Sequence, residues 1–335
     1  MGKKYLITGA TGFIGNHLVK ACLTQGSQVK CLVTAGSKTE HLKQLGAEIY
    51  YGDVLDKKSL VGAVRGVDIV YHLASRIRPS KVISSDSALL KAYRSINIKG
   101  TRNLTDVCLS NRIQRFIYFS SMEAVGIGKG LTEESPCRPL SDYGRSKLEA
   151  EKHILNLARI KDLPILIVRP GLIYGPGNLA MLPLFRLVKN KFMLTVRRGA
   201  NFMPFCYIDD LIEGTLLVER LGRVGSIYHI AGKQCTFNEF IYAIAENMGV
   251  RPNVLDVSEK LIQKIIFVKE SVESIIRLRV YPFCMHFSSA SHALFCNDWS
   301  VSYKKAEKEL NYAPHTDLGT GVRLAIQWYK QNGYL

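Results

Sequence analysis

Short apolar runs rich in Val, Ile and Tyr alternate with helix-patterned segments along the first two-thirds of this chain. A strand with few polar interruptions must be covered on both faces, and helices between successive strands supply that cover. The alternation predicts an α/β fold on a doubly wound parallel sheet. Strands are expected at residues 5–8, 29–33, 48–51, 68–73, 115–120, 165–169 and 226–230. Helices are expected to begin after Gly12, Lys38, Lys57, Tyr93, Tyr143 and Asp209.

Beyond Gly171 the rhythm breaks. Glycine and proline cluster at 171–176, and the later segments no longer alternate cleanly. Thr236-Phe-Asn-Glu239 reads as a capping box opening a helix that runs to Met248. Further helical patterns cover 259–279, 302–310 and 318–329. The expected division is a larger domain at 1–174, rejoined by 207–231, and a smaller, mainly helical cap from 175–206 and 232–335.

The composition excludes several classes. With 47% hydrophobic and 22% charged residues over 335 positions, the chain is globular rather than disordered. No apolar run approaches the roughly 18 residues of a membrane span. A strand-like segment at 5–8 stands where a secretory signal would need its apolar core. Lys and Arg exceed Asp and Glu by 45 to 28, giving +17. That surplus is spread along the chain, densest at Lys189, Lys191, Arg197 and Arg198 and at 304–308, with no basic module of a nucleic-acid binder. The eight cysteines form no CxxC pair, which argues against a metal cluster or disulfide framework and fits buried thiols in a reducing cytoplasm.

Thr8-Gly-Ala-Thr-Gly-Phe-Ile-Gly15 follows the first strand and opens the first helix. Glycines at 9, 12 and 15 permit a tight turn and a close backbone approach to a pyrophosphate, and the helix N-terminus offers N–H groups to it. At the head of a βαβ array this pattern points to dinucleotide binding.

The turn's spacing resembles the TGxxGxxG turn of the short-chain dehydrogenase/reductase superfamily. Its extended branch, which includes the NAD-dependent epimerases and dehydratases, is also resembled by Gly52-Asp53, Tyr71-His-Leu-Ala74, Ser120-Ser121 and Tyr143-Gly-Arg-Ser-Lys147. Arg169-Pro-Gly-Leu-Ile-Tyr-Gly-Pro176, Tyr207-Ile-Asp-Asp-Leu211 and Leu310-Asn-Tyr-Ala-Pro314 continue the likeness over nearly the whole chain. The resemblance implies a Rossmann-type sheet whose cofactor contacts include Gly9, Thr11, Gly12, Phe13, Ile14, Gly15, Thr34, Lys38, Asp53, Val54, Leu73, Ala74, Asn97, Tyr143, Lys147, Pro170 and Leu172. In that pattern Asp53 meets the adenine amine, Ala74 lines the cofactor through its backbone, Asn97 supports the catalytic centre and Pro170 borders the nicotinamide. A homodimer through the helices after Asn97 and Tyr143 is a further analogy.

Tyr143 and Lys147 lie four residues apart on an expected helix, and four residues turn about 400°, so the side chains share a face. An adjacent ammonium is expected to lower the phenol from its ordinary pKa of about 10. Tyr143 would then exchange a proton with a carbonyl or alcohol oxygen, Ser121 would hydrogen-bond that oxygen, and Lys147 would also hold the cofactor ribose.

NAD-specific relatives end the second strand with an acid that binds the ribose 2′-hydroxyl. Here that place falls near Thr34-Ala35, no acid appears before Glu40, and Ser37 and Lys38 suit a 2′-phosphate, so NADP(H) is expected over NAD(H). The branch also contains sugar dehydratases, which follow the catalytic hydroxyl with Asp-Glu; this chain has Met122-Glu123. Sugar-nucleotide enzymes commonly place asparagine where Leu172 stands. Residues 260–299 are rich in apolar side chains, with Phe283, Met285, Phe287 and Phe295 prominent. They read as an apolar lid over a small-molecule substrate or as ordinary cap packing, and Lys260, Lys264 and Lys269 would also suit contact with an anionic membrane surface. Glu123, Tyr174 and Arg197 are the expected substrate-facing residues, and Asp209 and Asp210 are read as structural. The expected activity is alcohol–ketone interconversion on a steroid-, lipid- or polyketide-like molecule. A nucleotide-sugar epimerase with tightly held NAD and a non-catalytic cofactor-binding regulator are the alternatives.

Overall fold

The computed structural model describes residues 2–77, 83–84, 86–264, 267–268, 279–280 and 296–335. Seven parallel strands form the central sheet: β1 (Lys4–Thr8), β2 (Gln28–Val33), β3 (Glu48–Tyr51), β4 (Ile69–His72), β5 (Arg115–Phe119), β6 (Ile165–Pro170) and β9 (Ile227–Ile230). Their order is β9-β6-β5-β4-β1-β2-β3. The strands flanking β1 lead to opposite halves of the sheet, so the crevice beyond the carboxyl ends of β1 and β4 is the topological switch point, where open α/β sheets bind ligands. The register sets Thr8 beside His72 at that edge.

Each face of the sheet buries its own apolar cluster. On one, Tyr5, Ile7, Tyr71 and Ile117 pack against α1 (Phe13–Thr24) and α8 (Ile208–Leu221). On the other, Leu6, Val70, Phe116 and Ile165 meet α3 (Lys57–Val64), α5 (Thr101–Leu109) and α6 (Asp142–Lys161). Two further helices, α2 (Glu40–Gln44) and α4 (Asp86–Tyr93), complete this part. Polar caps mark several helix starts, as expected where orphan N–H groups need acceptors. The Asp56 carboxylate accepts from Lys58 N, and the Ser141 hydroxyl accepts from Gly144 N.

The smaller part pairs β7 (Leu172–Tyr174) with β8 (Phe205–Tyr207), and holds α7 (Leu182–Lys189), α9 (Phe237–Met248), α10 (Lys304–Leu310) and α11 (Leu318–Gln331). Its core is aromatic: Phe205 stacks on Phe240 at 3.9 Å, and Phe185 meets Tyr329 edge-on at 5.1 Å. Thr236 and Glu239 form the expected capping box of α9. Among the described residues no helix is long and apolar enough to cross a membrane.

One helix start differs from expectation. The helix expected after Tyr93 begins at Asp86 and reaches α5 through a π-helical turn, Arg94–Gly100. Residues 259–264 are helical, but most of the expected helix at 259–279, and Phe283, Met285, Phe287 and Phe295, lie outside the described residues.

Candidate active site

The glycine turn is shaped by contacts that a side chain would prevent. Gly9 has φ +71°, and a Cβ there would stand 2.8 Å from Ala74 N. A Cβ on Gly15 would stand 2.2 Å from Gly9 O, so α1 closes directly onto the turn. At Gly12 the nearest atom is Gly9 O at 3.2 Å. Among the described residues no side chain caps α1, and no acid occupies its first turn. An exposed, uncapped helix start of this kind favours an anion through its N–H groups and dipole. The Ser120 hydroxyl, at the carboxyl end of β5, is buried and has no hydrogen-bond partner among the described residues. These features fit a dinucleotide laid across the strand ends. Alanine ordinarily stabilises a helix over glycine by about 1 kcal/mol. Gly15→Ala should instead destabilise by about 1–3 kcal/mol through the clash, as read by urea unfolding; a gain in stability would contradict the close approach.

Behind the turn, His72 links the first strand to the start of α5. Its Nδ1 lies 2.8 Å from Thr8 Oγ1 and its Nε2 lies 2.9 Å from Thr101 Oγ1. Thr101 donates its proton to Asn97 O, so its oxygen accepts from Nε2–H, and Nδ1 accepts from Thr8. Burial, and then the Lys147 charge, lowers His72 to about 3, which keeps it neutral. The Thr8 oxygen also accepts from Ala74 N at 3.1 Å. The π-turn presents Asn97, whose amide donates to Ser146 Oγ at 2.8 Å and to Arg76 O at 3.1 Å while accepting from Arg76 N at 2.7 Å. A π-turn inside a helix frequently marks a functional position.

Tyr143, Ser121 and Lys147 converge as the sequence implies, with an addition. The Ser121 and Ser75 hydroxyls bear on the Tyr143 phenol and favour its ionised form. Ser121 follows β5 as the N-cap of a short 3₁₀ turn. Tyr143 opens α6, brought against that turn by Gly144, where a Cβ would stand 2.3 Å from Glu123 O. Lys147, one turn further, is 2% exposed; its Nζ donates to Phe119 O at 2.5 Å and sits 4.6 Å from the Tyr118 ring centre. The expected acidification of the phenol is not found. Burial, reinforced by the Glu123 carboxylate, pushes Tyr143 well above its ordinary value, while Ser121 and Ser75 work against this. Lys147 is 6.0 Å from the Tyr143 ring centre, and burial lowers it to about 7 against the opposing field of Glu151. The desolvation of both groups exceeds what the ammonium gives the phenol.

The remaining candidates divide. Asp53 follows β3, half-buried, its carboxylate accepting from Leu55 N. Val54 is buried, its backbone carbonyl held by Asn103 Nδ2. Thr34 and Ser37 face each other with hydroxyls 3.2 Å apart, and Lys38 is exposed. Leu73 N donates to Thr8 O, and Pro170 ends β6 with Leu172 beginning β7 beyond Gly171. The Phe13 and His17 rings of α1 meet the loop after β7, where His17 Nε2 lies 2.9 Å from Pro176 O. Two expected substrate residues are not brought to the Tyr143 cluster. Tyr174 is a core residue, packed edge-on against Phe205, Tyr207 and Phe240. Arg197 sits in a left-handed turn and donates to the carbonyl of Cys296. Glu123 does approach the cluster, but its carboxylate accepts from Ser141 Oγ at 2.5 Å. Ser75 and Arg76 were not anticipated; a hydroxyl directly after Ala74, beyond the end of β4, was the available signal for Ser75. Asp210 accepts from His315 N, Thr316 N and Thr316 Oγ1, a structural tie between α8 and the loop before α11.

Known proteins resemble this chain over nearly its whole length. Sterol demethylase protein B of Methylococcus capsulatus is 27% identical over 339 residues, covering 98% of this chain and 99% of that protein. The 4-hydroxy-2-methyl-3-oxo-4-farnesyl-3,4-dihydroquinoline-1-oxide ketoreductase of Stigmatella aurantiaca is 25% identical over 323 residues, 92% of this chain and 91% of the relative. The crystal structure of UDP-glucuronic acid 4-epimerase from Bacillus cereus in complex with NAD matches with a TM-score of 0.75 at 25% identity, covering 98% and 99% of the two chains. The family model of the NAD-dependent epimerases and dehydratases matches residues 5–231, the whole span from β1 through the last strand of the sheet. A doubly wound sheet, a glycine turn at its switch point and a tyrosine–lysine helix beside it thus agree with the sequence relationship, and the chain belongs to the NAD-dependent epimerase/dehydratase family of extended short-chain dehydrogenases/reductases.

Proposed function

We propose that this protein is an NAD(P)-dependent oxidoreductase interconverting a secondary alcohol and a ketone on a hydrophobic small molecule. The observation that carries the reading is the set of proton-carrying groups beside the phenol. Eliminating water needs an acid for the leaving hydroxyl in addition to the hydroxyl residue. Position 122, directly after Ser121, holds a buried methionine, and the Glu123 carboxylate is tied to the Ser141 cap. Tyr143 is left as the proton carrier at the reacting oxygen, which suffices for reduction and oxidation. Half-buried Leu172 adds apolar surface beside Pro170, and the sterol and farnesylated quinoline in the relatives' names are apolar molecules of the same class.

The turn from Gly9 through Thr11, Gly12, Phe13 and Ile14 to Gly15 would hold the pyrophosphate by its backbone, with Asp53 and Val54 at the adenine end and Leu73, Ala74 and Pro170 along the nicotinamide end. When bound, the coenzyme supplies or accepts a hydride at its nicotinamide ring. Tyr143 gives its proton to the carbonyl oxygen in reduction and recovers one in oxidation. Ser121 holds that oxygen by a hydrogen bond. Lys147 holds the ribose and, when charged, stabilises negative charge developing on the phenol. Asn97, through Ser146, steadies the first turn of α6, since Ser146 Oγ donates to Tyr143 O at 2.7 Å.

Thr34, Ser37 and exposed Lys38 would bind a 2′-phosphate, and NADP(H) is the proposed preference. Fluorescence titration with both reduced coenzymes should give tighter NADPH binding; tighter NADH binding reverses the cofactor preference alone. The activity is tested by following nicotinamide absorbance with sterols, short acyl ketones and nucleotide sugars. Coenzyme consumed mole for mole with product is expected. Stoichiometric NAD retained through purification, with a nucleotide sugar epimerised and no net consumption, would establish the epimerase instead.

A further inference from the structure

We propose that Glu151 is a positioning residue for Lys147, and that its buried clasp with Arg169 sets how much positive charge Lys147 carries beside Tyr143. The inference rests on reading Tyr143 and Lys147 as the reacting pair.

Tyr143, Lys147 and Glu151 occupy successive turns of α6, four residues apart each time, so they run along one face of the helix. The third member is not solvated. Arg169 Nε donates to Glu151 Oε1 at 2.9 Å and Nη2 donates to Oε2 at 2.7 Å, with both side chains 2% exposed. A fully buried ion pair is often no more stabilising than apolar side chains of the same volume. Stability alone is a weak reason to find one a single turn from a buried lysine. Lys147 also has few partners: an ammonium has three protons to donate, and the acceptors found among the described residues are Phe119 O and the faces of the Tyr118 and Tyr143 rings. Burial penalises the charged lysine, and the Glu151 carboxylate opposes that penalty. Arg169 moderates the carboxylate in turn. The pair therefore acts as a fixed dipole at the end of the row, its strength set by two charges rather than one.

Other groups face this row from the elements packed against it. His72 of β4 is neutral, the Tyr118 phenol of β5 is pushed well up by burial, and Tyr93 of α4 and Glu123 of the 3₁₀ turn bear on Tyr143. On the far side of Arg169 stand Cys137 and His229, the latter lowered to about 3.

The two halves of the clasp have opposite signs, which separates this role from a structural one. Glu151→Gln removes the field that supports the ammonium, so Lys147 should lose its proton at lower pH. Arg169→Gln unmasks the carboxylate, so Lys147 should keep its proton to higher pH. The measurement is the titration of ¹³Cε-lysine signals by NMR in the full chain without added coenzyme, with Lys147→Met assigning the signal. A midpoint near 7 is expected in the wild type. It should fall by about one pH unit or more in Glu151→Gln and rise in Arg169→Gln. Glu151→Asp, which retains the charge, should stay nearer the wild type and serves if Glu151→Gln does not fold. Midpoints that do not move, or that move in one direction in both variants, overturn the proposal. The titration needs no substrate, so its failure is distinct from failure of the proposed activity, which the coenzyme-consumption assay decides. In turnover, the alkaline limb of the kcat profile should follow the same two directions.

Discussion

Tyr143→Phe should lower turnover by about 10²- to 10⁴-fold, the usual worth of a positioned acid–base group, while coenzyme binding changes little. The substitution removes one oxygen and keeps the ring. Its packing against Tyr93, with ring centres 6.2 Å apart, and its 6.0 Å distance from Lys147 Nζ both remain available to phenylalanine. What disappears is the proton and the oxygen on which the Ser121 and Ser75 hydroxyls bear. The raised phenol adds a pH signature. Tyr143 stays protonated through neutral and moderately alkaline pH, so it is ready as a donor. Its own titration should therefore leave ketone reduction flat there, with any loss reporting Lys147 instead. Alcohol oxidation needs the proton to leave and should accelerate as pH rises. Steady-state kinetics in both directions would read this; a phenylalanine variant within tenfold of wild type would remove Tyr143 from the chemistry.

Mild acid should be the second large lever. His72 and His229 are both buried and lowered to about 3, by burial first and by the charges of Lys147 and Arg169 second. In the unfolded chain a histidine titrates near 6.5. Between about 6.5 and 3 the unfolded state therefore binds two protons that the folded state refuses, and stability falls as pH falls. Each histidine should cost about 2 kcal/mol by pH 5, so together they remove roughly 4 kcal/mol. That is a large part of the roughly 5–15 kcal/mol available to a typical domain. Glu133 and Asp210, raised chiefly by burial, work in the opposite sense as they take up protons. Urea unfolding at pH 7.5 and 5.0 measures the difference. His229→Gln, which keeps an acceptor toward Arg169, should recover about half of the loss, and an acid-insensitive wild type would contradict the neutral burial of both rings.

Much of the scaffold could be read from local pattern, because local pattern decides it. The run Glu48–Tyr51 matches its strand to the residue, and α9 begins and ends where its capping box and Gly249 place it. The glycine turn was recognisable for the same reason: close backbone approach admits no other residue there. What escaped depends on contacts distant in sequence. The π-turn that presents Asn97 is held by bonds to Arg76 and Ser146, and nothing in the local run signals a wider helix. The acidity of Tyr143 was misjudged because spacing reveals the neighbouring ammonium but not the burial of both groups. Tyr174 shows the same limit, since its motif position is unchanged whether the ring faces a cleft or packs against Phe240.

The hydrogen atom that Gly144 carries in place of a side chain has a further consequence. With Glu123 O 2.3 Å from where a Cβ would be, the gap between the hydroxyl-bearing turn and the tyrosine-bearing helix is set by main chain against main chain. Such a spacer has no rotamers and cannot relax when neighbouring side chains change. Substrate preference could then drift freely through the cap during evolution or redesign while the spacing between these two elements stays constant.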